Sequence, residues 1–111
     1  MKHLVVLWKT SNLTDINELV FPYIYNSKIK KWWDEVEVII WGDSQRAIYE
    51  NVVVQNNIKK MMEAGVMFHA CKKCAEDLCL IDFLESQNID VQYTGVLLTE
   101  RLQSDAKVIT F

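Results

Sequence analysis

The sequence predicts an α/β fold, a mostly parallel five-stranded sheet with helices on both faces. Three observations lead there. Five short strand-like runs are spread along the chain: His3 to Trp8, Val36 to Trp41, Val66 to Ala70, Ile89 to Tyr93 and Lys107 to Thr110. Helix-like stretches fill the gaps, the pattern of β-α-β crossovers. The first three runs and the last are rich in Val, Ile and Leu with little alternation, as strands need when both sheet faces are covered. The chain has 111 residues, half of them hydrophobic. That suits a single domain over 1–111 with a core that needs no disulfide staples.

The first gap reads as a helix from about Asp15 to Trp33, with Leu19, Tyr23, Ile24 and Ile29 among its apolar positions. Pro22 lies inside it, so a kink is expected, or a helix that starts there. The second gap holds a turn after Ser44 and a helix ending at Ala64, with Asn51 as N-cap and Gly65 as C-terminal cap. Lys59 and Lys60 in its last turns suit the helix dipole. A third helix follows Cys71, and a fourth runs from about Gly95 to Ser104. The Ile89–Tyr93 run alternates, as expected of a strand near a sheet edge.

The formal net charge of -3 gives no electrostatic footprint for nucleic acid. The one basic run, Lys28, Lys30 and Lys31, is offset by Asp34 and Glu35 and reads as a solvated helix face. Apolar runs are of strand length, so no membrane-spanning segment is expected. Met1-Lys2 leads into a short apolar run without the long h-region of a signal peptide. The expected compartment is the cytoplasm, where the three cysteines stay reduced. Only three glycines are present, which excludes the usual nucleotide-binding fingerprints, and no G-x-S-x-G or H-E-x-x-H motif occurs.

In open parallel sheets, sites form beyond the carboxyl ends of the strands. Here those ends are Lys9 to Asn12, Gly42 to Ser44, Ala70 to Cys74 and Thr94. Asn12, Trp41 and Asp43 are therefore candidate lining residues. The chemistry concentrates in His69-Ala70-Cys71-Lys72-Lys73-Cys74-Ala75-Glu76-Asp77-Leu78-Cys79, which holds every cysteine of the chain. Cys71 falls where a strand gives way to a helix, and free N–H groups at a helix start favour a thiolate. Lys72 and Lys73 add positive charge, the setting that lowers thiol pKa values, while Glu76 and Asp77 oppose it. Cys74 lies one turn on, on the same helix face.

Four readings fit this segment: a thiol that carries sulfur or attacks a disulfide, thioredoxin-like redox chemistry of the Cys-x-x-Cys pair, a metal site of His69, Cys71, Cys74 and Cys79, and cysteines that are simply core. Zinc needs four converging ligands, and a helix would point Cys79 away from Cys74. Cys79, in an apolar stretch, is expected to be core. His69, among apolar neighbours, is expected to be a hydrogen-bonded structural histidine that could tune a thiolate if it faces the site. Trp8 and Trp41 are expected to pack in the core or wall a pocket. Of Trp32 and Trp33, one is expected inside and one exposed.

The segment Ala70-Cys71-Lys72-Lys73-Cys74, the following Cys79-Leu80 and the ending Ser104-Asp105-Ala106-Lys107-Val108-Ile109-Thr110-Phe111 resemble the DsrE/DsrF-like proteins, in particular their YchN-like branch. The resemblance implies a three-layer α/β/α sandwich and a homo-oligomer, often a trimer or hexamer. Some members relay sulfur: a cysteine eight positions before a glycine accepts sulfane sulfur as a persulfide. Counting back from position 79 lands on Cys71, and Cys74 matches the second cysteine of the Cys-x-x-Cys branch. Two departures stand out. Position 79 is Cys79 rather than glycine, which implies a strained turn or a continued helix, and the Lys9–Asn12 loop lacks the family's frequent glycine. The expectation is a sulfur carrier without cofactor. Cys71 is its nucleophile, Cys74 assists or resolves, the helix start and Lys72 stabilise the thiolate, and donor and acceptor proteins are its partners. The alternative is a non-catalytic oligomeric binding or scaffold protein of the same fold.

Overall fold

The computed structural model describes residues 1–111. Five parallel strands, β1 (His3–Trp8), β2 (Glu35–Ile40), β3 (Met67–Cys71), β4 (Asp90–Gln92) and β5 (Lys107–Thr110), form one sheet in the order β4-β3-β2-β1-β5. Each step from β1 to β4 moves to the next position in one direction. The return from β4 to β5 crosses the whole sheet. With right-handed crossovers, the helices of the first three connections share one face, and the helix before β5 lies alone on the other.

The core follows this asymmetry. Leu4, Val6 and Trp8 of β1 and Val36, Val38 and Ile40 of β2 point to the crowded face, in a cluster of 22 buried residues. The alternate positions Val5 and Ile39 form a cluster of only 3 buried residues with Leu97 on the opposite face. β2 is covered on both sides, as its continuous apolar run predicts. β4 is an edge strand, as its alternation predicts. β5 departs from expectation. It is the other edge, and Lys107, Ile109 and Thr110 are exposed. A single nine-residue helix cannot cover five strands, so an apolar run at the rim stays partly open.

The first connection begins with a short turn, α1 (Leu13–Asp15), opened by Asn12, whose Oδ1 accepts from the Asp15 N–H at 3.0 Å. A π-helical segment, Ile16–Val20, leads into α2 (Phe21–Ile29). The Phe21 N–H bonds back to the Ile16 carbonyl, five residues away. Pro22 follows at the start of α2 and has no N–H to give, so the turn before it widens at little cost. The second connection is α3 (Ser44–Glu50) and α4 (Val52–Glu63), where Asn51 caps α4 by accepting from the Val54 N–H at 3.0 Å. The third is α5 (Lys72–Asp77) and α6 (Ile81–Ser86), and the last is α7 (Thr94–Leu102).

Two helices stop for one reason, and the first of them stops short of the expected Trp33. α2 ends at Ile29, where Lys31 takes φ 57° and the Trp32 N–H reaches the Ser27 carbonyl at 3.1 Å. α5 ends at Asp77, where Cys79 takes φ 57° and the Leu80 N–H reaches the Ala75 carbonyl at 2.8 Å. Each is a Schellman turn, a left-handed residue that lets the chain satisfy the last carbonyls. α4 closes the same way through Gly65 at φ 103°. Position 79 therefore has the backbone of a glycine position and carries a cysteine, the strained turn of the two expected outcomes. Cys79→Gly is expected to stabilise the fold by about 1 kcal/mol, read as a higher urea midpoint with an unchanged slope.

Candidate functional site

At the carboxyl end of β3 the chain turns directly into α5 towards the crowded face, while beside it β4 turns into α7 towards the other. The ends part here, and in open parallel sheets such a parting forms a crevice. Cys71 sits at this point, paired in register with Gln92 of β4. It keeps an extended backbone, φ -66° and ψ 116°, as the residue before α5. Its carbonyl accepts from Nε2 of the buried Gln45 at 3.0 Å, which ties α3 to the end of β3.

The two thiols come together. Cys74, in the first turn of α5, lies close enough to the Cys71 thiol and the Gly42 N–H for both to act on its titration. Gly42 makes this approach by turning left-handed, φ 72°. The two cysteines differ in access: Cys71 is only 5% exposed, whereas Cys74 is half-buried, and both are free thiols. Cys74 opens into a shallow pocket of about 240 Å³ lined by Gly42, Asp43, Asp77 and Leu78.

The electrostatics differ from expectation. Burial pushes the Cys74 thiol above its ordinary pKa, the neighbouring Cys71 and the Asp77 charge add to this, and the Gly42 N–H opposes it. The lysines counted on to stabilise a thiolate are engaged elsewhere. Lys73 Nζ binds both Asp77 carboxylate oxygens, at 2.8 and 2.7 Å. Lys72 Nζ lies 5.1 Å from the centre of the Tyr93 ring. The six-residue α5 is also too short to build much dipole.

The other candidates separate. Asp43 joins the thiol pocket. Its carboxyl is held below the usual range by Arg46, which donates to it at 2.8 Å, and by Ser11. Asn12 is committed to capping α1. Trp41 packs on the α7 face with Val5, Ile39 and Leu97. Trp8 is wholly buried, edge-on to Phe21 at 5.1 Å. Trp32 is exposed and Trp33 packs against the core, as expected. Cys79 is the correction: it is exposed rather than core, because the turn that ends α5 throws its side chain outward. No three His, Cys, Asp or Glu side chains converge as metal ligands. The set His69, Cys71, Cys74 and Cys79 fails at its first member, which is bound to carboxylates.

That histidine belongs to a buried charge network whose members lie far apart in the sequence. Glu37, in the middle of β2, is 1% exposed and faces α7. Arg101 of α7 grips it, Nε to Oε1 at 2.7 Å and Nη2 to Oε2 at 3.2 Å. His69 Nε2 lies 2.7 Å from Oε2, and His3 Nε2 lies 3.2 Å from Oε1. His69 Nδ1 faces Asp90 at 2.9 Å. With a carboxylate at each ring nitrogen, His69 is held above its ordinary pKa despite burial, which works the other way. Burial would raise the Glu37 carboxyl, but hydrogen bonds and charges from His69 and Arg101 outweigh it and hold it at about 2. The one signal in the sequence is a carboxylate inside the apolar run Val36 to Ile40. Its partner is 64 residues away.

No protein-family model and no curated protein matches the chain. Among solved structures, the conserved protein of unknown function BT1422 from Bacteroides thetaiotaomicron superposes with a TM-score of 0.96 at 30% sequence identity, over 99% of this chain and 95% of that one. At that identity and coverage, the chain belongs to the same protein family as BT1422.

Proposed function

We propose that the protein is a thiol or persulfide carrier of DsrE/DsrF-like type, working through the Cys71–Cys74 pair. The observation that carries this reading is the placement of two free thiols one helical turn apart at the carboxyl end of β3, one buried and one facing a solvent-open pocket. The left-handed backbone at Cys79, eight residues after Cys71, supports the family resemblance. The sequence pattern favours Cys71 as the nucleophile, and its burial moves the first step to Cys74. The Cys74 thiolate attacks the outer sulfur of a donor persulfide, R–S–SH. The donor S–S bond breaks, R–S⁻ leaves and takes a proton, and Cys74–S–SH forms. The Cys71 thiolate can then take the outer sulfur in the same way. Alternatively it attacks the inner sulfur, closing a Cys71–Cys74 disulfide and releasing hydrogen sulfide. No cofactor enters. No helix is long and apolar enough to cross a membrane, and free thiols suit a reducing compartment such as the cytoplasm.

The burial of Cys71 and the raised pKa of Cys74 favour a second reading, an oligomeric binding or scaffold protein, trimeric or hexameric, in which the thiols are structural. One experiment separates the two: intact-mass spectrometry of Cys79→Ser, Cys71→Ser/Cys79→Ser and Cys74→Ser/Cys79→Ser, which lack the exposed third thiol, after incubation with a sulfane-sulfur donor. The carrier reading expects a sulfur-mass adduct on Cys79→Ser and on Cys71→Ser/Cys79→Ser, absent from Cys74→Ser/Cys79→Ser. No adduct on any form leaves the scaffold.

A further inference from the structure

Beside the thiol pair, the surface between α3 and α5–α6 is a continuous apolar depression. Leu78, 39% exposed, separates two hollows. One is the Cys74 pocket. The other, of about 400 Å³, is lined by Tyr49, Leu80 and Phe83 with the outward-facing Cys79. Tyr49 is 55% exposed and meets Phe83 edge-on at 5.1 Å, so the floor is aromatic. Apolar floors of this kind, left open beside a reactive group, are binding surfaces rather than core.

Carboxylates outnumber cations around this depression. Asp43 and Asp77 border the Cys74 pocket and Glu50 the aromatic hollow, while Glu76 and Asp82 border an adjoining hollow that shares Cys79. The cations among them are already engaged: Arg46 with Asp43 at 2.8 Å and Glu50 at 3.9 Å, and Lys73 with Asp77 at 2.7 Å. Lys72 is turned towards Tyr93. An approaching anion meets only carboxylates or neutralised pairs. An approaching cation meets a surface on which exposed carboxylates outnumber their cation partners.

We propose that this depression is the docking surface for a basic segment of a partner polypeptide, one that presents its sulfur on a cysteine flanked by lysine or arginine. The proposal rests on the thiol-carrier reading and names the partner class for the same site. Small anionic sulfur donors are disfavoured by the same rim, so delivery is protein to protein.

Two symmetric peptide disulfides test this, one with the cysteine flanked by lysines and one by glutamates. In each, Cys74–S⁻ attacks one sulfur, the peptide S–S bond breaks, a mixed disulfide forms and the other half leaves as a thiol. Mixed-disulfide formation at Cys74 is followed by peptide-level mass spectrometry, which separates it from the exposed Cys79, on the wild type and on Asp43→Asn/Asp77→Asn, at about 20 mM and about 500 mM salt. The lysine peptide is expected to react about tenfold faster than the glutamate peptide on the wild type at low salt. That ratio should fall severalfold in the variant and at high salt. Comparing ratios removes the intrinsic reactivity of each peptide and any general change in Cys74. A ratio equal in wild type and variant, and insensitive to salt, overturns the docking proposal while leaving the thiol chemistry standing. If neither peptide reacts at Cys74 on any form, the carrier reading falls and the docking proposal with it.

Discussion

Glu37→Leu is expected to destabilise the protein by about 3 kcal/mol, with a thermal midpoint lower by roughly 10–15 °C. The loss comes from what the carboxylate leaves behind. Arg101, His69 and His3 converge on it from α7, β3 and β1, and without it Arg101 keeps its charge against an apolar sheet face. Arg101 is 29% exposed at its side chain, so it regains some water, and the loss falls at the low end for breaking a buried pair. The double variant Glu37→Leu/Arg101→Met removes both charges and keeps the volume apolar. It should recover most of the stability, because exchanging a whole buried pair for hydrophobic residues is often neutral. Urea titrations of the two variants check this. A double variant no more stable than the single would mean that Glu37 matters through packing rather than charge.

Stability should also depend on pH on both sides of a slightly acidic plateau. Glu37 is held at about 2 from an ordinary 4.5, a difference worth about 3 kcal/mol. The unfolded chain takes up its proton first as pH falls. This stabilisation is therefore whole above about 4.5 and disappears progressively as pH drops towards 2. His69 acts in the opposite direction. Its folded pKa lies above the ordinary 6.5, so its contribution is whole below about 6.5 and is lost as pH rises through the folded value. The network is complete between the two ordinary values. Denaturation midpoints from about pH 2 to 9 are expected to peak in that range. In Glu37→Leu the acid limb should flatten, and so should most of the alkaline limb, because His69 loses its closer carboxylate. An unchanged profile in that variant would show that other groups set the pH dependence.

Much of the fold is legible in local pattern. The five strand runs, the N-cap at Asn51, the glycine stop at Gly65 and the interruption at Pro22 follow from residue type and spacing, and each stands within a residue or two of its expected place. The thiol pair was legible as well, because a strand end, a helix start and an i, i+3 spacing are properties of neighbouring residues. What local pattern misjudged was depth and charge. An apolar stretch points Cys79 inward, and a helix start points Cys71 to solvent. Yet Cys71 is enclosed by Gln45 from α3 and the end of β4, and Cys79 is thrown outward by a left-handed turn. Lys72 and Lys73 were credited to the thiols because they are adjacent in sequence, but side-chain geometry gave them to Tyr93 and Asp77.

The alternation of strand and helix was enough to determine an α/β sheet with its thiols at a carboxyl edge, since periodicity and turn chemistry act over a few residues. Only the assembled sheet decided that β5 takes the far edge and leaves a single helix on the second face. It also decided that Glu37 meets Arg101 there, and that Asp43 and Gly42 complete the pocket of Cys74. Burial and electrostatic pairing depend on which distant segments arrive at the same place, and strand order sets that.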